Sequence, residues 1–227
     1  MSDIPSTAAG NDGDGSDDLA AGDLSAWLAG MQQALDGTAA AHVPCGDCTG
    51  CCTSSQFVPV GPDEDDTLAH IPPELLFPAP RSPAGHVLMG YDENGHCPML
   101  VGGACSIYAH RPRTCRTYDC RVFPATGVEL DDGPGGDDAG KAEIARRSRR
   151  WRFTHPGEQD RVEHEALRAA ARYVRDHPDR LPADVVPVTA TQHAVLAVRI
   201  HSAFLGVEDP EPSSISSMAA RDRRQFG

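Results

Sequence analysis

The sequence predicts an α+β fold with a small, loop-rich core centred on cysteines, a short hairpin and flanking α-helices. Three observations support this fold class. All 8 cysteines of the 227 residues lie in one stretch, positions 45 to 120, which Gly and Pro interrupt repeatedly. Apolar residues recur at helical spacing on both sides of that stretch, whereas the apolar runs within it are short and extended. Because aromatic residues make up only 5% of the chain, we expect a modest apolar core.

The chain begins with an acidic, Gly- and Ser-rich lead-in over residues 1–18, which we expect to be disordered because it has no apolar pattern. A helix is predicted to follow, with Asp23 as its N-cap and Gly37 at its end. Its apolar residues recur at the spacing of one helix face: Leu24, Trp27, Leu28, Met31 and Leu35. The helix leads a cysteine domain predicted over residues 19–128.

Short elements are predicted within this domain. Residues 57–60 and 87–89 favour extended segments, and Gly102-Gly103 favours the turn of a small hairpin. Residues 71–86 hold five prolines, so we expect an irregular covering loop. A short helix should open at Pro112.

The C-terminal part is predicted to be helical over residues 141–207 and to pack on the cysteine domain. An acidic, Gly-rich linker over residues 129–140 precedes it. One amphipathic helix should end near His177-Pro178, and a last helix should open at a capping box that begins at Thr189. A disordered tail is expected over residues 208–227.

Charge and hydropathy restrict the partners. The formal charge of −13 argues against nucleic acid, which needs a concentrated positive surface. The arginines around Trp151 are interpreted as a solvated helix face. No apolar run is long enough to span a bilayer and no leader sequence is evident, so we expect no membrane partner and a cytoplasmic location. Cytoplasmic thiols stay reduced, and clustered ones hold metals more often than disulfides.

The first four cysteines are spaced as a chelating loop. Cys45, Cys48 and Cys51 can direct three thiolates at one metal, as in loops that hold iron-sulfur clusters or tetrahedral zinc. Cys51 and Cys52 are adjacent, and neighbouring side chains diverge. The doublet is therefore more natural where two metals, or a cluster and a separate ligand, lie side by side.

The other four cysteines complete the candidate ligand set: Cys97, Cys105, Cys115 and Cys120. Three arrangements stay open: one 4Fe-4S cluster with four other cysteines nearby, two tetrahedral zinc sites, or one zinc with a redox-active remainder. Soft thiolates exclude magnesium and calcium. His96 and His110 could replace a thiolate, and Arg111 and Arg116 could offset the negative charge of the site.

These residues carry a family resemblance. The order Cys45-x-x-Cys48-x-x-Cys51-Cys52, Cys97-Pro98-Met99-Leu100, Cys105-Ser106-Ile107-Tyr108, Arg111-Pro112 and Cys115-Arg116-x-Tyr118 resembles the bacterial YkgJ-type cysteine-cluster (CxxCxxCC) family. That family is described as chelating zinc or iron, and flagellin lysine N-methylases carry a similar domain. The resemblance covers about residues 43 to 123.

The sequence therefore predicts a metal-binding protein whose eight cysteines hold an iron-sulfur cluster or zinc. A protein-modifying enzyme similar to a lysine N-methylase, or a redox protein, is one alternative. A zinc-stabilised module that binds a protein partner is the other. No catalytic residue is assigned, because the sequence contains neither a Gly-rich methyl-donor loop nor the Cys-x-x-x-Cys-x-x-Cys motif of radical enzymes.

Overall fold

A computed structural model describes residues 18–80, 82–130, 139–207 and 210–221 of the chain. The predicted lead-in before residue 18, residues 131–138 of the predicted linker and the last six residues lie outside these ranges. The α-helices are α1 Leu24–Leu35, α2 Asp65–His70, α3 Arg113–Thr117, α4 Val122–Thr126, α5 Ala139–Ser148, α6 Glu158–Asp176, α7 Ala190–Ile200 and α8 Pro212–Arg221. The strands are β1 Leu19–Asp23, β2 Val58–Val60, β3 Leu76–Pro78, β4 Val87–Met89, β5 Leu100–Val101, β6 Ala104–Cys105 and β7 Trp151–Thr154.

The α+β prediction is confirmed, with the strands in three small sheets. β2, β4 and β3 form an antiparallel sheet in that spatial order. β5 and β6 form the predicted hairpin, in which Leu100 pairs with Cys105. β1 and β7 pair in parallel, Leu19 opposite Trp151. The third pairing joins the first described strand to a strand that follows α5, a contact that no local pattern predicts.

The larger core lies among the long helices. α1 buries Leu24, Leu28 and Met31 as its spacing predicted. It packs against α6 and α7, together with β7 and α4. Asp160 joins α1 to α6, because its carboxylate accepts hydrogen bonds from the backbone amides of Ser25 and Gly157, both at 3.0 Å. α1 therefore shares one core with the C-terminal helices.

A smaller core lies under the three-stranded sheet and the hairpin. Its buried members are Val60, Ile71, Met89, Met99 and Ile107. Two of the cysteines, Cys97 and Cys105, pack against its edge, whereas Cys120 is buried in the larger core. The cysteine region consequently lies between the two cores.

The helix ends of the C-terminal part follow the sequence signals. α6 ends at Asp176, just before the predicted stop at His177-Pro178. The hydroxyl of Thr189 accepts a hydrogen bond from the amide of Gln192 at 3.1 Å and caps α7. A 3₁₀ turn at His201–Phe204 extends α7, and the chain leaves at Gly206, whose φ is +69°.

Two sequence expectations need correction. The predicted disordered tail over residues 208–227 contains α8, which is held because Ile215 and Ala219 are fully buried against α6 and α7. The predicted covering loop over residues 71–86 contains β3, which pairs with β4 although Pro78 ends it. Among the described residues, no helix combines the length and hydropathy needed to cross a membrane.

Candidate metal centre

The first four cysteines lie on a tightly turned loop. The amide of Cys48 donates to the carbonyl of Cys45 at 3.1 Å, and the amide of Cys52 donates to the carbonyl of Thr49 at 2.7 Å. A 3₁₀ turn over Gly50–Cys52 follows. With about three residues per turn, successive side chains on such a turn point roughly 120° apart. The turn therefore directs Cys51 and Cys52 to different sides.

The downstream cysteines reach this loop from separate elements. The amide of Cys97 donates to the carbonyl of Cys52 at 2.7 Å, which fixes the start of the hairpin beside the doublet. Cys105 lies on β6, and Cys115 lies in α3. Cys120 follows the end of α3 and is 7% exposed. All eight cysteines are free thiols.

Mutual electrostatic influence divides the thiols into two groups of four. The pKa of Cys51 is raised first by burial and then by Cys120 and Cys45. Cys45 and Cys48 likewise raise the pKa of Cys120, and Cys48 raises the pKa of Cys45. We call this group the Cys120 set, which consists of Cys45, Cys48, Cys51 and Cys120.

The second group contains Cys52, the other member of the doublet. Burial raises the pKa of Cys52 to about 11, and Cys97 and Cys105 are its strongest thiol neighbours. Burial raises the pKa of Cys115 to about 12, with further contributions from Cys97, Cys52 and Cys105. We call this group the Cys115 set, which consists of Cys52, Cys97, Cys105 and Cys115. The sets also influence each other, because Cys45 and Cys48 raise the pKa of Cys52, and Cys52 raises the pKa of Cys51 ahead of Cys48. The two sets are therefore adjacent.

Two of the thiols combine exposure with a raised pKa. Cys51 and Cys115 are exposed residues, yet desolvation by surrounding atoms is the largest cause of the raised pKa of each thiol. At neutral pH such thiols carry protons, so a bound cation would have to displace them.

Residues from beyond the cysteine stretch surround the Cys120 set. The indole Nε1 of Trp151 donates a hydrogen bond to the sulfur of Cys120 at 3.2 Å. The guanidinium of Arg147 lies 5.2 Å from the centre of the indole ring. The charges of Arg147 and Arg121 both lower the pKa of Cys45, against the larger effect of burial. An N–H donor and two cations thus face sulfurs that would carry negative charge when a metal is bound.

Helix α5 closes over the chelating loop. A Cβ on Gly140 would lie 2.1 Å from the carbonyl oxygen of Thr53, so this contact tolerates only glycine. A Cβ on Gly50 would lie 3.1 Å from Cγ of Glu143, so the loop is also close to α5 at this position. The thiol of Cys48 donates to Glu143 Oε1 at 3.8 Å. The C-terminal part is therefore a wall of the site as well as a neighbour of the domain.

Sequence reasoning missed this wall. It interpreted the arginines around Trp151 as solvated, but Arg147 is buried and donates to the carbonyl of Pro44 at 3.0 Å. Trp151 is 2% exposed. One signal was available: a tryptophan, of which the chain has two, seldom lies on a solvated face. Nothing local identified Glu143 or Gly140.

The other predicted site residues have different partners. Arg116 pairs with the buried carboxylate of Glu64 at 3.4 Å. Arg111 stacks on Tyr108, with 4.1 Å from its guanidinium to the ring centre, and its charge lowers the pKa of Cys115 against burial. The ring of His110 contacts Asp66 at 2.8 Å. The structure places His96 in the turn that Asp92 closes, where its amide donates to Asp92 Oδ1.

The donor chemistry fits a soft metal or cluster. Four thiols per set match both structural zinc and iron-sulfur ligation. A Zn–S distance of about 2.3 Å places the sulfurs of a tetrahedral zinc site about 3.8 Å apart. In any three of the eight cysteines, all of which are described, at least one pair of sulfurs is more than 4.8 Å apart. The sets are thus wider than a closed zinc site.

The fold and the cysteine region define a small α+β metal-binding domain of the thiolate type, walled by helices. Comparison with protein families agrees: residues 44–133 match the CxxCxxCC family, whose description reads "Putative zinc- or iron-chelating domain". This segment of the chain is therefore similar to the CxxCxxCC family, in line with the resemblance found in the sequence. No curated protein and no solved structure matches the chain, so the similarity to flagellin lysine N-methylases stays a prediction.

Proposed function

We propose that the domain binds two metal centres side by side, one held by the Cys120 set and the other by the Cys115 set. The observation that carries this proposal is the division of the doublet. The 3₁₀ turn over Gly50–Cys52 directs Cys51 and Cys52 to different sides, and the amide of Cys97 donates to the carbonyl of Cys52 at 2.7 Å. Among the thiols, Cys120 contributes most to the raised pKa of Cys51, and Cys97 contributes most to that of Cys52. A single centre would draw both members of the doublet toward the same partners.

The separate anchoring of the downstream cysteines supports two centres. Cys115 and Cys120 are five residues apart, and the helix that carries Cys115 ends at Thr117. Each of the two can therefore face its own set without strain in α3. Cys97 and Cys105 pack on the smaller core and Cys120 in the larger one, so each set has an independent support.

Iron-sulfur clusters are the occupants that the spacing favours. A cubane keeps its four ligand sulfurs farther apart than a single ion does, because the cluster lies between them. The wide sulfur spacing suits a group of that size. Zinc is the second candidate, and it would require each set to contract around the ion.

Metal and sulfide quantification of protein purified without oxygen tests this proposal. Two cubane clusters would give about eight iron and eight sulfide per chain with a broad visible absorption, whereas two zinc ions would give no sulfide and no colour. Two centres of either kind support the division of the cysteines. A single mononuclear metal per chain, or less, after anaerobic purification and reconstitution would overturn it.

A further inference from the structure

A cluster of side chains outside the two cysteine sets has the donors of a metal site. Asp66 and His70 lie on the same face of α2, four residues apart, and His110 lies at the end of the 3₁₀ turn Tyr108–His110. One donor atom from each residue can be chosen so that all three lie within 4.8 Å of one another. Two nitrogen donors and one oxygen donor form a set chemically unlike the thiolates.

Asp66 holds both imidazole rings. Its carboxylate oxygen Oδ2 lies 2.8 Å from Nδ1 of His110, and its backbone carbonyl lies 2.7 Å from Nδ1 of His70. Histidines that bind metals commonly have the ring nitrogen away from the metal oriented by a carboxylate or a backbone carbonyl, so these contacts at Nδ1 leave Nε2 of each ring as the metal donor. The rings are therefore positioned before any ligand arrives.

The two rings lie face to face, with centroids 3.6 Å apart and planes 5° from parallel. A neutral imidazole keeps one nitrogen lone pair that can bind a metal. The pKa of Asp66 is lowered, chiefly by its hydrogen bond with His110, so its carboxylate stays charged. The cluster thus combines a carboxylate with two imidazole rings.

We propose that Asp66, His70 and His110 form a third metal site, which takes a borderline divalent cation such as Ni²⁺, Co²⁺ or Zn²⁺. Imidazole and carboxylate donors suit these ions, and magnesium and calcium prefer sets made only of oxygen. Three protein ligands leave coordination positions for water. The side chains are 39% to 67% exposed, so a cation can enter directly from solvent.

Such a site would connect α2 with the segment that joins two members of the Cys115 set. His110 lies between Cys105 and Cys115 in the chain, and α2 contacts the 3₁₀ turn that carries it. A cation bridging His70 and His110 would fix that segment against α2. The third site is nevertheless independent of the cysteines, because it shares no ligand with them.

Titration calorimetry with Ni²⁺ on the protein as purified, with its cysteine centres in place, tests this site. We expect one Ni²⁺ per chain, with binding weakened at least about tenfold in His70→Gln and in His110→Gln, the usual cost of losing a ligand or its support. His177→Gln is the matched control, because that ring contacts Tyr173 in the helical part. Asp66→Asn should also weaken binding.

Proton NMR of the same samples provides a readout that does not depend on affinity. Bound Ni²⁺ is paramagnetic and should broaden the ring signals of His70 and His110 before those of His177. Iron and zinc contents that match the wild type show that each variant keeps its cysteine centres. Absence of Ni²⁺ uptake, or equal uptake by wild type and His110→Gln, would overturn the third site while leaving the two cysteine centres unaffected.

Discussion

Replacing Trp151 by Phe should selectively weaken the centre held by the Cys120 set. The substitution keeps a buried ring but removes the Nε1 donor that lies 3.2 Å from the sulfur of Cys120. A hydrogen bond to a charged group contributes about 1.5–3 kcal/mol. Since about 1.4 kcal/mol corresponds to a factor of ten, the affinity of this centre should fall by about 10- to 150-fold. Because the indole donates to Cys120, a member of the other set, the Cys115 set should keep its affinity.

Chelator competition, followed by counting the retained metal, measures this difference. Trp27→Phe is the matched control, because its indole also donates a buried hydrogen bond, to Asp119 Oδ2 at 2.9 Å, but not to a sulfur. Asp119 remains bound to Arg121 in that variant, at 2.7 Å. We expect Trp27→Phe to lower stability and to leave metal retention intact. Equal retention by both variants would refute a role for the Trp151 donor in the site.

Three further predictions concern the surroundings of the site. Gly140→Ala should destabilise the protein by about 1–3 kcal/mol in urea unfolding, because the new Cβ meets the carbonyl of Thr53. Gly30→Ala is the control: it lies at an open helix position and should instead stabilise the protein by about 0.5–1 kcal/mol. A Gly140→Ala protein as stable as wild type would contradict the close contact between Gly140 and Thr53. Glu64→Gln should lower the free energy of unfolding by about 1–3 kcal/mol, because the Glu64 carboxylate accepts hydrogen bonds from two backbone amides. An unchanged urea midpoint would contradict this role of the carboxylate. In the metal-free, reduced protein, the pKa of the Cys120 thiol is raised from 9.0 to about 11. As the pH rises, the unfolded chain therefore loses this proton before the folded protein does, and the free energy of unfolding should fall between pH 9 and pH 11. A urea midpoint that rises over that range would be inconsistent with the raised pKa.

Local patterns predicted the regular parts of the fold. The apolar spacing from Leu24 to Leu35 and the capping residue Thr189 each depend on neighbours within a few positions, and both have their predicted roles. α8 escaped prediction because, among its residues of described burial, Ile215 and Ala219 alone are buried along a mostly Ser and Ala sequence. The parallel pairing of β1 with β7 joins residues more than 100 positions apart, which no local window contains.

The sequence nominates the candidate ligands of the site but does not indicate how they divide. Spacing alone indicated that Cys51 and Cys52 diverge, but which downstream cysteines each one meets depends on how α3 ends and where the hairpin packs. The positions of Trp151 and Arg147 beside the site likewise depend on tertiary packing. They approach the Cys120 set only because α5 and β7 fold back over the loop, and Gly140 makes that approach sterically acceptable.

Metal counting in paired cysteine variants tests the division into two sets most directly. Cys51→Ser combined with Cys120→Ser removes two ligands of the same set, so this protein should keep about half of its metal, like either single variant. Cys52→Ser combined with Cys120→Ser removes one ligand from each set and should lose nearly all of it. Circular dichroism on the same samples shows whether the helices persist. Equal metal contents in the two double variants would contradict two centres divided at the doublet.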